Sequence, residues 1–481
     1  MTGGLPSTIA DAGAALRSGR LTSAALTAAL LARADRLDAA LGSYVARFDE
    51  SAMDAAARAD ADFAAGLDRG PLQGIPLGVK DIIAAREGAT TACSKVLDPG
   101  WGRGIDAPAV ARLRAQGAVI AGKTATMEFA MGAPDAGGPF PIHRNPWNLA
   151  HWPGGSSSGT GTGVAAGLML GGLGSDTGGS VRIPAALCGI SGLKPSYGLV
   201  PKSGVVPLGY SLDTVGPMAR SARDCALILQ AIAGASADDP TSVERPLPDY
   251  AAALTGDACG LRVGVERDHH TRAPGFDPAC RDRFEDAVCA LERAGAEIVE
   301  VHFDGLPIVS AAAMVTTAAE SLAYHRRDLQ QRFADYGRAA RASLTLGAFY
   351  SAGDYVQAQR VRAWGLATLR RLLGDCDVIA TPTIGVPAPR LGDDYWAMMA
   401  WTYTPPWNLL GAPAISVPMG PISGGLPSGL QIAGGRFDDA RVLRVADAYQ
   451  QVTDWHTRVP DLAQSDTRGE RARAQLAASR S

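Results

Sequence analysis

The stretch GGSSSGTGTGVAAGLMLGGLGSDTGGSVR, residues 154–182, decides the fold and the chemistry of this chain. It opens on one glycine-serine cluster, GGSSSG, and closes on a second, DTGGS. Serines in glycine-dense turns expose hydroxyl groups and backbone N–H groups together. Acyl transfer needs both, because it requires a nucleophile and donors for the oxyanion that forms during attack. A lone lysine, Lys80, stands upstream in the apolar setting GIPLGVKD at 74–81.

Composition limits the classes of protein to which this chain can belong. Hydrophobic residues make up 47% of the 481 residues, enough for a large core, and the net charge is −3. Without a basic surface or a long run of like charge, the sequence predicts no nucleic-acid partner. The N-terminus lacks a signal-peptide pattern, and the apolar run 164–173 is too short to span a bilayer. We therefore expect a cytoplasmic protein that does not bind membranes.

The cysteines and histidines indicate neither disulfide bonds nor a metal site. The seven cysteines are widely spaced, odd in number and without a CxxC pair, which is typical of reduced, mostly buried thiols. The seven histidines form no HExxH pattern, and adjacent His269 and His270 cannot share one helix face. The sequence thus predicts no metal and no cofactor.

Hydrophobic periodicity predicts an α/β fold. Residues 7–66 are predicted to be helical, with Thr22 or Ser23 as a cap. Beyond residue 74, short β-like runs alternate with helical segments. The β-like runs are IPLGVK, AVIAGK, LMLGGLG, DVIATPT, AISVPMG and GLQIAGG. The helical segments are 106–116, 159–170, 221–234, 278–294, 309–333, 352–373 and 437–451. Such alternation favours helices that cover a mostly buried sheet.

One segment matches the phosphate-binding P-loop pattern by its letters alone. Residues 117–124, GAVIAGKT, fit GxxxxGK[ST]. The mechanism needs the four middle residues to form a loop whose N–H groups hold phosphate. Here those residues are Ala-Val-Ile-Ala, which predict a buried strand. We interpret the match as a coincidence.

The GGSSSG cluster also contains a GxSxG pattern centred on Ser157. A nucleophile elbow of that kind follows a strand and precedes a helix. The preceding residues, NLAHWP at 148–153, make a poor strand. We interpret Ser157 and Ser158 as turn or capping residues, with Ser158 the better cap.

Taken together, Lys80 and the two serine turns resemble the amidase signature family. The segments that carry the resemblance are GIPLGVKD (74–81), GKTATMEFAMG (122–132), GGSSSG (154–159), GSDTGGSVRIP (174–184), GISGLKPSY (189–197), SLDTVGPMAR (211–220), NLLGAPAISVP (408–418) and GLPSGLQIAG (425–434). They occur in the family's order and are densest between residues 70 and 225. The resemblance implies an α/β amidase signature fold, in which helices cover both faces of a large mixed sheet.

The resemblance implies a Ser–cis-Ser–Lys catalytic triad. Ser180 matches the nucleophile, Ser156 the bridging serine beside a cis peptide bond, and Lys80 the general base. Residue chemistry agrees, because a serine hydroxyl needs a base and burial favours the neutral form of a lysine. The resemblance also assigns supporting roles to Asp176 and Arg182, which brace the nucleophile turn.

The resemblance further implies an oxyanion hole beside the nucleophile. Its donors are the backbone N–H groups of Thr177, Gly178, Gly179 and Ser180. Glycines let the backbone approach a substrate without a side-chain clash. Loss of one such donor typically costs about 10²–10³ in rate.

The family resemblance suggests three regions. Residues 1–70 form an N-terminal helical region packed on the core. Residues 71–465 form a single amidase domain, in which 70–225 is the catalytic signature core and 240–400 a variable, substrate-facing region. Residues 466–481 form a polar, frayed tail.

A departure at Trp401 separates this chain from one branch of the family. In the A-type chains of glutamine-dependent amidotransferases, that segment carries an acidic residue that helps hold the glutamine α-amino group. Here it reads WTYTPPWNL, with tryptophan at the acidic position. We therefore expect a free-standing amide hydrolase, a monomer or homodimer, with a small-molecule amide or carbamate as its only partner.

Aromatic and methionine residues predict an apolar wall in the substrate site. The candidates are Met127, Phe129, Trp396, Met399, Trp401 and Tyr403. A core or dimer-interface role for the 395–407 segment is the alternative. A wall of this kind favours a substrate with a bulky apolar or aryl group, such as an anilide, aryl amide or oligo-amide. Two other functions stay open: carbamate (urethane) hydrolysis by the same triad, and the role of an A-type subunit in an amidotransferase.

Overall fold

The computed structural model describes residues 5–133, 135 and 138–462. Eleven strands lie in this part of the chain: β1 (Tyr44–Arg47), β2 (Pro76–Lys80), β3 (Val119–Thr124), β4 (Gly171–Asp176), β5 (Ser191–Lys194), β6 (Thr214–Ala219), β7 (Arg262–Val265), β8 (Glu297–Glu300), β9 (Val378–Pro382), β10 (Ala414–Pro421) and β11 (Pro427–Ala433). The same residues form fourteen α-helices: α1 (Ile9–Arg17), α2 (Ser23–Leu41), α3 (Asp49–Ala64), α4 (Pro108–Ala115), α5 (Ser158–Ala165), α6 (Arg182–Cys188), α7 (Ala222–Ile232), α8 (Pro278–Arg293), α9 (Leu306–Arg332), α10 (Arg338–Thr345), α11 (Ala352–Asp375), α12 (Tyr395–Met399), α13 (Pro405–Leu409) and α14 (Asp439–Gln451).

All eleven strands belong to one mixed sheet, in the order β1-β3-β2-β4-β6-β5-β10-β11-β9-β7-β8. Strand β2 runs parallel to both β3 and β4, and β7 runs parallel to β8 and β9. The remaining pairs are antiparallel. The predicted α/β fold with a large mixed sheet is therefore confirmed.

Strands β2 and β4 lie side by side and carry the two halves of the candidate site. Every residue of both strands is buried. Helix α5 packs on β2, β3 and β4, and α6 packs on β5, β10 and β11. Strands β2 and β4 are parallel, so their carboxyl ends lie at the same edge of the sheet. The GGSSSG turn precedes α5, and the DTGGS turn joins β4 to α6.

The N-terminal region differs from the prediction in one respect. Residues 7–66 form three helices as expected, and the Thr22 hydroxyl caps α2 by accepting the Ala25 N–H at 3.1 Å. However, β1 interrupts them and pairs antiparallel with β3. Its four residues, YVAR, are too few to show an alternating pattern between two long helical segments.

Four further strands, β5, β6, β7 and β8, were not among the predicted β-like runs. Strands β5 and β6 contain glycine or proline and are buried on both faces, so neither alternation nor propensity marks them. Strands β7 and β8 have four residues each and lie at one side of the sheet. Their existence depends on tertiary pairing, which a single sequence does not encode locally.

Helix α9 and the turn after it, residues 306–335, are long and apolar enough to cross a membrane by length and composition. In the fold, α9 packs along α11 and against α13. Its buried side chains, among them Val309 and Ala312, pack in a hydrophobic cluster that also contains Trp407. A core helix of a globular protein passes the same test, so this helix is weak evidence for a membrane span.

The predicted division into 1–70, 71–465 and 466–481 stays a prediction. The sheet takes strands from residue 44 to residue 433, so both the N-terminal region and the proposed domain contribute to it. The predicted frayed tail lies outside the described residues.

Candidate active site

Lys80 lies at the carboxyl end of β2 with a fully buried side chain. Its Nζ donates to Ser156 Oγ at 2.7 Å and to Ser175 Oγ at 2.8 Å. Burial lowers the pKa of Lys80 to about 7, although the nearby carboxylates of Asp176 and Asp213 act to raise it. A large fraction of the amine is therefore neutral at neutral pH, and a neutral amine can accept a proton.

The GGSSSG turn places Ser156 against Lys80. The peptide bond between Gly155 and Ser156 is cis, as the resemblance implies. The Met127 N–H donates to the Ser156 carbonyl oxygen at 3.3 Å. Ser156 itself is 2% exposed, so its hydroxyl lies inside the protein beside the lysine rather than in solvent.

Ser157 joins the two serine turns to each other. Its hydroxyl accepts the Ser175 N–H and donates to the Ser175 carbonyl oxygen, both at 3.2 Å. Its own N–H donates to the Ser180 carbonyl oxygen at 3.1 Å. Ser157 occupies the N-cap position of α5 without a side-chain capping bond, and the hydroxyl of Ser158 has no hydrogen-bond partner within residues 5–133, 135 and 138–462. The expectation that Ser158 caps this helix is therefore wrong, because both serines face the packed interior.

The nucleophile turn is built around Asp176, at the end of β4. Its carboxylate accepts the backbone N–H groups of Gly179 at 2.8 Å and Val181 at 3.1 Å. It also receives Nε and Nη2 of Arg182 at 3.0 and 2.9 Å. Burial alone would raise the pKa of Asp176, but Arg182 holds it well below its usual range. The aspartate is therefore ionised and fixes the shape of the turn.

Arg182 extends this network to the far side of the site. Its Nη1 donates to the Thr404 carbonyl oxygen at 3.0 Å and to Gln431 Oε1 at 2.7 Å. Its Nη2 donates to Asn408 Oδ1 at 2.6 Å. The guanidinium is fully buried, and every one of these bonds is charge-assisted. The predicted pair of bracing residues thus anchors 404–408 as well as the turn.

Ser180 is partly exposed at the end of this turn, unlike Ser156. The Gly179 N–H is engaged by Asp176, as stated above. The N–H groups of Thr177, Gly178 and Ser180 have no acceptor among the described residues. Of the four donors that the resemblance implies, these three are available to a substrate oxygen in this structure. The oxyanion hole stays a prediction.

The close approach of Thr404 explains why residue 179 is glycine. Gly179 has a φ of +132°, and a Cβ there would lie 2.1 Å from Thr404 Oγ1. The Thr404 hydroxyl donates to the Gly178 carbonyl oxygen at 2.6 Å. Any side chain at 179 would displace that contact.

Sequence reasoning missed two residues that the structure places in the site. Ser175 is the second hydrogen-bond partner of the Lys80 amine, and it stood inside the quoted GSDTGGS motif. Asp213 accepts the Thr177 hydroxyl at 2.5 Å and stood inside SLDTVGP. Both lay in recognised segments, but only the fold shows which side chains converge on Lys80 and on the turn.

The interpretation of GAVIAGKT as a strand is confirmed. Residues 119–124 form β3, and Lys123 is buried with its Nζ 3.5 Å from Asp81 Oδ1. Its Nζ donates to Thr90 Oγ1 at 2.9 Å and to the carbonyl oxygen of Ile83. Burial lowers the pKa of Lys123 to about 8, against the effect of Asp81. This lysine is held by protein groups and presents no phosphate loop.

The six predicted wall residues do not form one surface. Met127 lines a cavity of about 310 Å³ beside the GGSSSG turn, and the buried Phe129 packs edge-on against His325, with ring centroids 4.4 Å apart. Trp396, Met399 and Tyr403 line a separate cavity of about 440 Å³ next to the start of α9.

Trp401 and Tyr403 are used in packing. The Trp401 ring lies edge-on to Phe276 at 6.5 Å, and the Tyr403 ring stacks over Phe276 at 6.3 Å. Tyr403 also meets the His270 ring at 4.2 Å. The core role that competed with the wall role therefore accounts for these two rings.

No group of three or more His, Cys, Asp or Glu side chains within the described residues is arranged to hold a metal ion. All seven cysteines are free thiols; Cys259 and Cys289 are exposed, and the others are buried. The site is thus made of hydroxyl, amine, carboxylate and guanidinium groups.

The fold, the site and the comparison with protein families together show the class of enzyme to which this chain belongs. A chain with this mixed sheet and this lysine-serine arrangement is an enzyme that acts on an amide C–N bond, by hydrolysis or by amide transfer. The Amidase family model matches residues 25–443, and the chain belongs to that family. The resemblance inferred from the motifs is confirmed.

The proteins most useful for comparison are amidotransferase A-type subunits and a peptide amidase. The chain is 43% identical over 482 residues to the A-type subunit of the glutamyl-tRNA(Gln) amidotransferase of Roseiflexus sp. (strain RS-1), covering 95% of this chain and 98% of that protein. It is 33% identical to the structure of the corresponding A-type chain from Thermotoga maritima, with a TM-score of 0.75 and coverage of 88% and 90%. A peptide amidase bound to the inhibitor chymostatin is 32% identical, with a TM-score of 0.82 and coverage of 92% and 97%.

These relatives overturn the expected function. We expected a free-standing hydrolase of a bulky apolar or aryl amide, and that expectation is wrong, because full-length relatives at this identity are amidotransferase subunits. The carbamate alternative has no support from them. The expectation gave too much weight to two features. Trp401 is a single substitution, and two of the aromatic rings assigned to a substrate wall are packed on Phe276.

The expected partners are corrected by the same finding. A small-molecule substrate alone, no nucleic acid, and a monomer or homodimer were expected. The relatives are subunits of an enzyme named for glutamyl-tRNA(Gln), so this expectation is wrong. The net charge of −3 was not a sufficient basis for that expectation.

Proposed function

We propose that this chain is the A-type subunit of a glutamine-dependent amidotransferase and that it releases ammonia from glutamine through an acyl-enzyme on Ser180. The observation that carries the proposal is the full-length identity to such subunits, 43% over 95% of this chain and 98% of the relative. On this proposal, the ammonia amidates glutamyl-tRNA(Gln), and partner chains carry the acceptor.

A half-buried arginine near the nucleophile turn supports an amino-acid substrate. Arg362 on α11 donates from Nη2 to Ser211 Oγ at 2.9 Å, while its buried Nε has no partner among the described residues. Burial lowers the pKa of Arg362, although the Glu320 carboxylate acts to raise it, and no ion pair with Arg362 is present in the part of the chain that the structure describes. A cation in this situation is costly unless an anion joins it. The α-carboxylate of glutamine is such an anion.

Glu320 on α9 is a candidate partner for the α-amino group of the substrate. The acidic residue expected at position 401 is a tryptophan in this chain, so another carboxylate is needed. The Glu320 carboxylate accepts the Ser211 N–H at 2.9 Å, the Ser211 hydroxyl at 2.7 Å and the Tyr355 hydroxyl at 2.8 Å. Ser211 lies two residues before Asp213, which bonds Thr177 in the nucleophile turn. A carboxylate and a guanidinium thus stand together near that turn, as a zwitterion requires.

The proposed cycle uses the buried amine as the base. Neutral Lys80 takes the proton of Ser156 while Ser156 takes that of Ser180. The Ser180 oxygen bonds to the amide carbon, and the oxyanion accepts backbone N–H bonds. The C–N bond then breaks, its nitrogen receives the proton back through Ser156, and ammonia leaves. Water, deprotonated by the same relay, attacks the acyl carbon, releasing glutamate and restoring Ser180.

The test combines ammonia release with protection of the nucleophile. L-glutamine should be hydrolysed in a Ser180-dependent reaction and should slow labelling of Ser180 by a fluorophosphonate probe. Ser180→Ala should lose both the adduct, seen by intact mass, and the turnover. Ser157→Ala is the matched serine control and should still be labelled. If the probe labels Ser180 but glutamine neither protects it nor is hydrolysed, the proposal fails.

A second arm tests the two α-groups of the substrate. Butanamide shares the reacting carboxamide but lacks the α-carboxylate and the α-amino group. Arg362→Leu and Glu320→Gln should each reduce the preference for glutamine over butanamide, by about tenfold or more for the lost charged contact. An unchanged preference in both variants would remove these residues from the proposed subsite.

A further inference from the structure

Two strained backbone segments lie against each other beside the GGSSSG turn. Ala92 and Cys93 have φ values of 50° and 47°, and Phe129 and Ala130 have φ values of 48° and 61°. Residues other than glycine rarely adopt this left-handed region. The Phe129 N–H donates to the Ala92 carbonyl oxygen at 2.9 Å, so the two segments are locked together. Such strain persists only where the surrounding structure holds it.

The Glu128 side chain helps to keep these two strained segments in place. Its Oε1 accepts the Ser94 hydroxyl at 2.5 Å, and its Oε2 accepts the Gly337 N–H, just before α10, at 2.7 Å. One carboxylate therefore joins the loop after Cys93 to the segment that links α9 and α10. Each bond has an ionisable acceptor and is stronger than a neutral hydrogen bond.

The neighbour of Glu128 contacts the catalytic turn directly. The Met127 N–H donates to the Ser156 carbonyl oxygen at 3.3 Å. The Met127 sulfur lies so close to Gly155 that a Cβ there would be 2.3 Å away. Residue 127 is therefore packed and hydrogen-bonded against the turn that carries Ser156, whose hydroxyl lies 2.7 Å from the Lys80 amine.

We infer that Glu128 is a positioning residue for the reaction: its bonds to Ser94 and Gly337 hold Met127 and, through it, the Ser156 hydroxyl in register with Lys80. Glu128 itself touches none of the reacting groups. The inference rests on the nucleophile role of Ser180 in the proposed function, but it does not depend on glutamine being the substrate.

Phe129, the residue after Glu128, packs against His325 on α9 and against Tyr336 before α10. The Phe129 ring lies 4.4 Å from that of His325 and 5.8 Å from that of Tyr336. The His325 ring bonds the Tyr336 hydroxyl at 3.0 Å. Helix α9 and the segment before α10 therefore both pack against Phe129.

The test measures acylation of Ser180 by a fluorophosphonate probe, which requires no knowledge of the substrate. Glu128→Gln keeps size but replaces one acceptor oxygen with a donor. It should lower the maximal acylation rate about tenfold, because misplacement of a catalytic group is costly, and should leave the half-saturating probe concentration within about twofold. Ser94→Ala removes one bond and should cost less, about threefold. The double variant should be no slower than Glu128→Gln, because both changes act through one bond.

The matched control is Glu285→Gln, which removes another carboxylate, one on α8 that bonds Arg267 at 2.8 and 2.9 Å. It should leave acylation unchanged. If folded Glu128→Gln acylates at the normal maximal rate, or changes only the half-saturating concentration, the inference is wrong. Should Glu128→Gln not fold, Ser94→Ala decides by the same two parameters. Loss of glutamine protection with normal acylation would count against the proposed substrate and not against this role.

Discussion

The amine nitrogen of Lys80 lies 2.7 Å from the hydroxyl oxygen of Ser156, in a place where neither side chain reaches solvent. A charged ammonium is disfavoured there, and burial lowers the pKa of Lys80 to about 7. The base of the proposed relay is therefore largely neutral near pH 7 and able to accept a proton.

The first prediction concerns pH. Because the folded-state pKa of Lys80 is about 7 and its ordinary value is 10.5, the amine is charged below pH 7 and neutral above it. Acylation of Ser180 should therefore rise as pH increases through about 7 and then level off. Probe-labelling rates between pH 5 and 9 measure this. Lys80→Arg stays charged and should be inactive throughout, so a rising limb in that variant would assign the titration to another group.

The second prediction concerns the Asp176–Arg182 pair. Asp176→Asn leaves a fully buried guanidinium without its carboxylate, and breaking such a pair costs about 3–5 kcal/mol. Urea unfolding should show that loss. Asp268→Asn is the matched control, since its partners Arg272 and His302 are exposed and surface pairs contribute little to stability. Equal effects in the two variants would contradict the central role of Asp176.

The third prediction compares two neighbouring glycines. Gly179→Ala places a methyl group 2.1 Å from Thr404 Oγ1 at a φ of +132°, so stability should fall by about 1–3 kcal/mol. At Gly178 a Cβ meets nothing within 4 Å and φ is ordinary. Gly178→Ala should therefore unfold within about 0.5 kcal/mol of the parent. Thermal unfolding of both variants checks this, and similar losses would mean that the turn tolerates no change for another reason.

The fourth prediction concerns Lys123 and Asp81. Lys123→Met leaves the buried Asp81 carboxylate without its cation and should destabilise the fold by about 3–5 kcal/mol. Adding Asp81→Asn removes the orphan charge, so the double variant should recover part of that loss, with a coupling of about 0.5–3 kcal/mol. Denaturant unfolding of the parent, Lys123→Met, Asp81→Asn and the double variant gives the coupling energy. Strict additivity would show that the pair does not interact.

Lys80, Ser156 and Ser180 were singled out by the resemblance of their motifs to the amidase signature family, and the structure brings Lys80 and Ser156 into hydrogen-bond contact. Strands β2, β9, β10 and β11 were found because their apolar runs are bounded by glycine and proline. Sequence reasoning did not find β1 or β5–β8, whose pairing is tertiary, and it did not find the partnership of Ser175 with Lys80. Alternation along one strand says nothing about which strand lies next to it.

Function was harder to predict than fold because a binding site combines residues far apart in the sequence. Trp401 is a single position, whereas Glu320 and Arg362, the two residues of the proposed subsite, both bond the Ser211 hydroxyl only when α9 and α11 pack together. Tyr403 was assigned to a substrate wall, yet its ring lies between His270 and Phe276. Exposure and partnership, unlike residue type, are properties of the folded chain.

The bonds from Arg182 to Thr404 and Asn408 tie the segment after α12 to the nucleophile turn. Residues 404–408 are fixed to that turn, while Trp396 and Met399, about a helical turn or two upstream, line the cavity next to the start of α9. A protein built this way can be diversified at Trp396 and Met399 without loosening the serine that does the chemistry. Directed evolution of new amide specificities in this scaffold therefore has a natural boundary, and it falls at Thr404.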